Sequence, residues 1–401
     1  MNRDIIIPFI CSALIFISSL ILYFDFIGRI EHSGTDEIGT ITFKKKVAER
    51  KYSGEVIWED LEQNVPVYNN DSIRTAEDST SIIKFKDKSE IEINENTFIL
   101  LTWTDEGAIV DFSKGTLSAR AADSPVSKLK IVSAGVVVNI QKGNVQLAKG
   151  SDKKLSVNVA SGTALVENQK GISTVTNDKS AVISSEKAEI KKKSIRLEYP
   201  GPDSYFVTFS GTNEISFKWQ ADNDDEIYFE VYNDAGLTEK AVTKRVSDSA
   251  VKSGFMPGTY YWRIASGSDG KSASEARRFV VLKDDMLRPI APAEGRNFTA
   301  LQENPIIAFQ WTGSGYASSY EVIIAGDPEL INILQTLKSQ NTEISTDKLS
   351  FGTYYWTVST IYPFGRIDSA KNNFTGKFTI SKERTIPPPE LLSPNDDESI
   401  S

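Results

Sequence analysis

The chain has 401 residues, of which 40% are hydrophobic and 25% are charged, a balance typical of globular proteins with about two to four domains. The formal net charge is −9 and the pI is about 5.0, which argues against nucleic acid as a partner, because binding to phosphates requires an excess of basic side chains. The only cysteine is Cys11, so neither an intramolecular disulfide nor a multi-cysteine metal site can form.

An uncharged run from Ile5 to Phe24 lies near the start of the chain. As a helix with a rise of about 1.5 Å per residue, this run would be about 30 Å long, which is the thickness of a bilayer core. A cleaved signal peptide is the alternative, but Arg3 is the only basic residue before the run and no clear Ala-x-Ala site follows it. We therefore predict an uncleaved transmembrane anchor over residues 1–27, in which Cys11 is a lipid-facing or helix-facing thiol rather than a lipoprotein cysteine.

Residues 28–51 are polar and show no sustained periodicity, which predicts a juxtamembrane linker. From residue 52 to residue 185, short runs of β-forming side chains alternate with Gly, Asn, Asp and Ser, and no long helical pattern interrupts them. This pattern favours an all-β domain, either a compact coil or a sandwich. Turns between its strands are predicted at Lys114-Gly115, Lys142-Gly143-Asn144 and Ser161-Gly162.

Several short motifs follow one another within residues 52–185. An opening Gly-x-Val is followed by an aspartate before a Ser/Thr-rich turn, and then by an Asp-x-Ser before an amphipathic strand. In this chain the motifs are Gly54-Glu55-Val56, Asp71-Ser72-Ile73-Arg74-Thr75 and Asp87-Lys88-Ser89-Glu90-Ile91, with Ser79 and Phe85 between them and Gly115-Thr116-Leu117 and Ser133-Ala134-Gly135 at the later glycine positions. Residues 52–185 therefore resemble the FecR family, and the resemblance implies a twisted β-solenoid in the bacterial periplasm.

FecR regulators of this kind also carry a cytoplasmic segment before the membrane helix, and that segment engages a sigma factor. Only Met1 to Asp4 precede the apolar run here, too few residues for such a domain. Charge counting does not fix the orientation, because the three lysines at positions 44–46 outweigh Arg3. The short amino-terminal stretch and the FecR resemblance favour an anchor in the bacterial cytoplasmic membrane with the bulk of the chain outside the cytoplasm.

A charged linker is predicted over residues 186–196, and a tandem repeat follows it. Gly258-Thr259-Tyr260-Tyr261-Trp262 recurs as Gly352-Thr353-Tyr354-Tyr355-Trp356, and Phe217-Lys218-Trp219 recurs as Phe309-Gln310-Trp311. The equivalent tryptophans are 92 and 94 residues apart, which is the length of a domain rather than of a solenoid repeat. We predict one domain over residues 197–283, a second over 284–382, and over 383–401 a linker and the start of a truncated third repeat.

Strand alternation assigns the two tyrosines of the repeated motif to opposite faces. Trp262 shares a face with Tyr260 and Ile264, and the same alternation holds in the second copy, which predicts that the tryptophans fill the core of a two-sheet sandwich. Strand order and the aromatic positions resemble fibronectin type III or immunoglobulin-like domains. Tyr261 and Tyr355 point the other way and are the candidates for surface binding, although they could also only cover a sheet.

The sequence predicts neither a metal-binding site nor a catalytic site. The acidic stretch Asp222 to Glu226 could hold calcium, but it lacks the spacing of an EF-hand and is predicted to be a solvated turn. The only histidine, His32, lies in the predicted linker, so the usual histidine-dependent sites are excluded or isolated. No phosphate-binding glycine loop is present, and no pattern selects a pair of carboxylates. We therefore expect no enzyme activity, no cofactor, and no catalytic, cofactor-binding or metal-binding residues.

Two functions follow from these patterns. The first is a non-enzymatic, single-pass envelope protein that presents its β domains for binding or scaffolding, with an envelope protein or the cell-wall polymer as partner. Tandem sandwiches would provide reach and several weak contact surfaces. The second is a FecR-like signalling regulator that needs a partner membrane protein to carry the signal inward.

Overall fold

The computed structural model describes residues 16–20, 36–122, 129–150, 154–222, 226–267, 272–364 and 374–383. Residues 16–20 are helical, and no helix in these ranges is long and apolar enough to cross a bilayer. The remainder of the predicted anchor, Cys11, His32 and the opening of the third repeat lie outside the described residues. Backbone contacts group the chain into two units, one of Met1–Leu197, Trp219–Glu226 and Ile264–Glu275 and the other of Glu198–Lys218, Ile227–Arg263 and Ala276–Ser401.

The first fifteen strands form one hydrogen-bonded sheet. They are β1 (Glu37–Lys45), β2 (Ala48–Lys51), β3 (Glu59–Asp60), β4 (Pro66–Tyr68), β5 (Ser72–Thr75), β6 (Thr80–Phe85), β7 (Glu90–Ile93), β8 (Phe98–Thr104), β9 (Gly107–Ala121), β10 (Leu129–Ser133), β11 (Val136–Lys149), β12 (Leu155–Asn168), β13 (Gly171–Thr176), β14 (Lys179–Ile183) and β15 (Ala188–Lys192). Neighbouring strands are antiparallel, except that β9 and β10 run parallel. Their inward side chains, from Ile38 to Ile183, form one apolar core.

This domain is longer than the sequence indicates. The predicted linker over residues 28–51 must end before Glu37, because β1 pairs with β4 and β6, and β2 pairs with β3 and β5. Ile38, Ile41 and Phe43 are buried on β1, but the lysines that follow them hide this short apolar pattern. The domain also continues past residue 185, because β15 pairs with β14 inside the predicted charged linker.

Three glycines predicted to lie in turns are instead inside the three longest strands. Gly115 is in β9, Gly143 in β11 and Gly162 in β12, and all three have positive φ angles. Each lies where its strand changes neighbours: β9 passes from β8 to β7 and β11, β11 from β10 to β9, and β12 from β14 to β13. Glycine permits such bends because it lacks a Cβ. The bends allow long strands to fold the sheet over a single core.

We predict that Gly162→Ala destabilises the domain far more than Gly54→Ala. The φ angles are nearly equal, +81° and +80°, so both substitutions carry the same backbone strain of about 1–2 kcal/mol. A Cβ at residue 162 would also overlap the carbonyl oxygen of Lys142, whereas one at residue 54 meets nothing within 4 Å. Denaturant unfolding should show a loss of at least about 3 kcal/mol for Gly162→Ala. Equal losses for the two variants would contradict the packing argument.

The remaining strands form two sandwiches with matching topology. The first contains β16 (Ile195–Tyr199), β17 (Ser204–Thr208), β18 (Asn213–Ala221), β19 (Ile227–Tyr232), β20 (Lys240–Val246), β21 (Ala250–Phe255), β22 (Gly258–Ser266), β23 (Ser272–Ala273) and β24 (Arg277–Lys283). The second contains β25 (Pro289–Ala291), β26 (Arg296–Ala300), β27 (Ile307–Trp311), β28 (Ser319–Ala325), β29 (Ile333–Ser339), β30 (Glu343–Thr346), β31 (Gly352–Ile361) and β32 (Gly376–Lys382).

Each sandwich packs a three-stranded sheet against a larger one. The small sheets have the orders β16-β18-β21 and β25-β27-β30, and the large sheets have the orders β17-β24-β22-β19-β20 and β26-β32-β31-β28-β29, with β23 paired to β22. In the first sandwich the Phe217 ring meets the Trp262 ring at 5.1 Å and 69°, and Phe309 meets Trp356 at the same distance and angle in the second. The predicted core positions of both tryptophans are therefore confirmed, since both are completely buried. The all-β architecture and its immunoglobulin-like sandwiches agree with the sequence prediction.

The first tyrosine of each repeated motif closes the corner before its strand. The hydroxyl of Tyr260 donates to the carbonyl oxygen of Met256 at 3.1 Å, and that of Tyr354 donates to the carbonyl oxygen of Ser350 at 2.9 Å. This is the tyrosine corner of immunoglobulin-like folds. The Gly-Thr-Tyr-Tyr-Trp motif thus encodes a corner, an outward side chain and a core side chain in that order.

We predict that Tyr354→Phe destabilises the second sandwich by about 0.5–1.5 kcal/mol, because it removes one hydrogen bond and little apolar contact. The matched control, Tyr355→Phe, alters an outward side chain and should change the unfolding free energy by less than about 0.5 kcal/mol. Urea titration followed by peptide-resolved hydrogen exchange measures both values within the second sandwich. A larger effect for Tyr355→Phe would show that the corner bond is not what makes the first tyrosine important.

Candidate interaction surface on the sandwich sheets

The predicted surface tyrosines lie half-buried on the outer face of the large sheets. Tyr261 on β22 is opposite Arg278 on β24. Tyr355 on β31 lies between Lys377 on β32 and Ala325 on β28. Both tyrosines are therefore members of rows that cross the outer face of a sheet, and the neighbours in each row decide what the face can bind.

The hairpins beside these tyrosines can be compared position by position. Tyr232 pairs with Lys240 in the β19–β20 hairpin, and Ala325 pairs with Ile333 in the β28–β29 hairpin. Every later pair in the two hairpins is also offset by 93 residues, and the register shift occurs at the same place. The two hairpins are therefore structural equivalents whose side chains can be compared directly.

A repeated aspartate turn, missed by the sequence reasoning, sets the register of both hairpins. Asp234 accepts hydrogen bonds from the backbone N–H groups of Thr238 and Glu239, and Asp327 accepts those of Ile331 and Asn332. These bonds hold the pKa of each carboxyl below its ordinary value. Three residues after each aspartate stands a leucine with positive φ, Leu237 or Leu330. Aligning the two copies at an offset of 93 would have revealed this Asp-x-x-Leu pattern.

In the first sandwich, a charged network occupies the outer face at this hairpin. Glu230 accepts hydrogen bonds from Lys240 Nζ at 2.6 Å, from the Tyr232 hydroxyl at 2.7 Å and from Arg263 Nε at 2.8 Å. Arg263 Nη2 also donates to the Tyr232 hydroxyl at 2.9 Å. Since Glu230 is buried, these partners compensate for the loss of its hydration. Its carboxylate is already surrounded by donors of the chain itself, which makes it an unsuitable site for a ligand.

Burial would by itself raise the pKa of Glu230, but the hydrogen bonds from Lys240, Tyr232 and Arg263 outweigh it, so the pKa lies below its ordinary value of 4.5. A carboxyl with a lowered pKa in the folded state stabilises the fold above its unfolded pKa. That stabilisation disappears as the pH falls through the folded pKa. The first sandwich therefore has an acid-sensitive contribution to its stability, and the second, with Ile323 at the equivalent position, lacks this one.

We predict that Glu230→Gln weakens the first sandwich by on the order of 2 kcal/mol at neutral pH, because the charged acceptor for Lys240 and Arg263 is lost. It should also reduce the drop in local stability between about pH 7 and about pH 3. Peptide-resolved hydrogen exchange of β19 and β28 measures both effects, with β28 as the internal control. An unchanged acid dependence in β19 would show that Glu230 does not supply it.

The second sandwich has an apolar surface at the same positions. We call Ile331, Ile333 and Leu334 the apolar hairpin; they are 81%, 51% and 48% exposed. The equivalent residues of the first sandwich are Thr238, Lys240 and Ala241. Ala325 and Thr357 likewise stand where the first copy has Tyr232 and Arg263.

The apolar hairpin also lies at the edge of its sheet. Among the described strands, β29 pairs with β28 and is the last strand in the order β26-β32-β31-β28-β29. An edge strand presents unpaired backbone N–H and C=O groups on one side, and proteins usually protect such strands with charged side chains. The equivalent strand β20 carries Lys240, Lys244 and Arg245, whereas β29 carries only Lys338, which pairs with Glu321 at 3.8 Å. The hairpin therefore combines exposed apolar side chains with weak charge protection, which suits contact with another macromolecule.

The motif residues of the first domain have structural roles in its turns. The buried Asp71 accepts the backbone N–H of Tyr68 at 2.9 Å, and Asp87 accepts both the N–H and the hydroxyl of Ser89. The hydroxyl of Ser79 accepts the N–H of Val47 at 3.1 Å. These bonds stabilise the ends of the short strands. The motif is therefore explained by the fold of the domain.

In the described part of the chain, no group of His, Cys, Asp and Glu side chains is arranged to hold a metal ion. Residues 223–225 of the acidic stretch lie outside the described residues, so the solvated turn predicted there stays a prediction. The expectation that the protein has no catalytic residue or cofactor likewise stays a prediction.

Residues 71–165 match the family model described as FecR protein. The chain therefore contains a FecR domain, as the motifs predict, and this domain belongs to the fifteen-stranded sheet. The match begins at Asp71, the buried aspartate of the second motif.

A Treponema pallidum (strain Nichols) protein, described as uncharacterized, is 24% identical to this chain over 390 residues. The alignment covers 93% of this chain and 58% of that protein, so the chain spans less than two thirds of its relative's length. Among solved structures, a Parabacteroides distasonis protein described as an anti-sigma factor matches 38% of this chain and 85% of its own, with 12% identity and a TM-score of 0.28. The fibronectin(III)-like modules of CbhA from Clostridium thermocellum match 47% and 94%, with 14% identity and a TM-score of 0.29.

Proposed function

We propose that this chain is part of a non-enzymatic, membrane-anchored envelope protein that presents its FecR domain and sandwiches outside the cytoplasm for binding or scaffolding. The observation that carries the proposal is the apolar hairpin, since it exposes three large aliphatic side chains where the first copy of the repeated fold has Thr238, Lys240 and Ala241. Within one chain, the first copy shows that the fold does not require this apolar surface. The exposed side chains are therefore available for a role other than folding.

Between the two partners considered, a protein fits the apolar hairpin better than the cell-wall polymer. Glycans are usually held by aromatic rings together with many hydrogen-bonding groups, whereas the side chains exposed here are aliphatic. A strand of a protein partner can also pair with an edge strand through main-chain hydrogen bonds. Tyr355 lies on the same face of the sheet, on the strand next to Ala325. Of the two predicted surface tyrosines, it is the one that such a partner could reach.

The membrane anchor and the extracytoplasmic location rest on the sequence. The uncharged run from Ile5 to Phe24 has the length of a bilayer span, and FecR domains resembling this one are periplasmic. A chain fixed to the membrane by one end would hold its β domains at a limited distance from the bilayer, which suits a scaffold that acts within the envelope.

A signalling regulator is the second candidate, and the FecR match to residues 71–165 favours it. In this alternative, a partner membrane protein carries the signal inward. The two candidates differ in the nature of the partner. A scaffold can bind any stable envelope protein, whereas a regulator requires an integral membrane protein with a cytoplasmic part.

We predict that a photo-crosslinking amino acid at Ile333 forms a specific protein adduct in intact cells. The matched control carries the same amino acid at Ala241, the equivalent of Leu334 in the first sandwich, where no side-chain hydrogen bond is lost, and it should form no such adduct. Adding Ile331→Lys and Leu334→Lys to the Ile333 variant should reduce the adduct about tenfold, which corresponds to about 1.4 kcal/mol of binding energy. Mass spectrometry identifies what is attached.

Equal labelling at residues 333 and 241, or labelling that the two lysines do not reduce, would overturn the proposed binding surface. A glycan adduct would replace the protein partner with the cell-wall polymer. An integral membrane protein as the adduct would favour the regulator over the scaffold.

A further inference from the structure

The loop between β2 and β3, residues 52–58, belongs to the fifteen-stranded domain and exposes apolar side chains. Gly54 has a φ of +80°, and a Cβ built there would meet nothing within 4 Å, so the loop is surrounded by open space at this point. Val56 and Ile57 follow it and are 85% and 62% exposed. Two adjacent exposed β-branched residues in a loop lie outside the core, so burying them in another apolar environment would be favourable.

The base of the loop is surrounded by aromatic rings and cations. The Arg74 guanidinium lies over the Trp58 ring at 4.2 Å, and Lys51 Nζ lies 5.7 Å from its centre. Phe98 meets the same indole edge-on at 6.0 Å. Glu49 accepts a hydrogen bond from Arg74 Nε at 2.5 Å and so fixes the guanidinium against the ring. A tryptophan with lysine and arginine beside exposed aliphatic residues is the composition found where proteins meet the membrane interface.

The loop lies at the end of the domain where the chain enters it. Glu37, the first residue of β1, is in register with Tyr68, and the Tyr68 ring is 6.2 Å from that of Tyr52 at the start of the loop. The carbonyl oxygen of Asp36 also accepts the N–H of Asn69 at 3.2 Å. Asp36, from which the chain leads back to the apolar run, therefore lies at the same end of the domain as the loop.

The distance from this end to the predicted bilayer is bounded by chain length. Eleven residues separate Phe24, the end of the uncharged run, from Asp36. Even fully extended, this segment reaches no further than about 40 Å. If the run spans the membrane, the loop end of the FecR domain is held near the lipid surface.

We infer that the loop is a second membrane contact, in which Val56 and Ile57 enter the interfacial layer of the bilayer. Trp58 lies at headgroup level, and Lys51 and Arg74 face the lipid phosphates. Two acids flank the tip, Glu55 and Glu59, so the contact depends on apolar insertion rather than on a net positive charge, and zwitterionic lipid suffices. The inference rests on the anchor in the proposed function, because a loop this small gives stable binding only beside a second attachment.

The test uses the full chain reconstituted in phosphatidylcholine vesicles. Cys11→Ser removes the only cysteine, and Ile57→Cys then carries an environment-sensitive fluorophore. The control is Ile331→Cys, which replaces the same residue type at a position of the second sandwich that is even more exposed. At residue 57 we expect a blue shift of the emission and quenching by quenchers attached to the lipid chains, and at residue 331 we expect neither. Adding Val56→Asp to the Ile57→Cys chain should abolish both signals while the protein stays on the vesicles.

The outcomes separate the inference from the proposed function. Failure of the chain to associate with the vesicles overturns the anchor and the loop contact together. Association with residue 57 still in water overturns the loop contact alone. Lipid quenching at both positions indicates adsorption without a defined contact and overturns the inference, as does shielding of residue 57 that requires added envelope proteins.

Discussion

In both sandwiches a phenylalanine ring packs against a tryptophan ring with the same distance and angle. This contact determines which face of each large sheet is buried and which faces outward. Phe217 with Trp262, and Phe309 with Trp356, fill the space between the two sheets. Because side chains alternate along a strand, this inward assignment sends Tyr261 and Tyr355 to the outer face. Packing restricts the inner face, where a lost methylene is costly, and it places fewer constraints on the outer face. The two copies therefore keep one core and differ outside it.

Alternation with a period of two was sufficient to predict the sandwiches, their core tryptophans and the outward tyrosines, because each of these depends on one strand at a time. The limits of the FecR domain were harder to predict. β1 is a strand because it pairs with β4 and β6, which lie further along the chain, and its own sequence reads as polar once Lys44 and Lys45 are included. Gly115, Gly143 and Gly162 resemble turn residues for the same reason that they bend long strands: both roles require a positive φ or space that a Cβ would occupy.

The candidate site shows a different limit. The outward position of Tyr355 follows from its own strand, but the contrast between Lys240 and Ile333 is meaningful only once the two hairpins are known to share a register. Asp234 and Asp327 set that register through hydrogen bonds to backbone N–H groups in the two turns. The sequence patterns that identify helices and strands do not detect turns of this kind. The contacts of Glu230 depend on side chains from three strands, β19, β20 and β22, so its low pKa could not be inferred from its neighbours in sequence.

The difference between the outer faces changes how the tandem repeat is to be understood. Two equivalent sites on one chain would bind a repeated partner with avidity, because the second contact would form at a high effective concentration. That requires the same chemistry in both copies. The first hairpin instead uses Lys240 and Arg263 to neutralise a buried carboxylate, and the second exposes aliphatic side chains at the equivalent strand. A partner that buries Ile333 would meet Lys240 in the first copy and would have to remove that lysine from Glu230, which costs a charged hydrogen bond. The first sandwich is therefore better suited to a spacer, and the second to the contact.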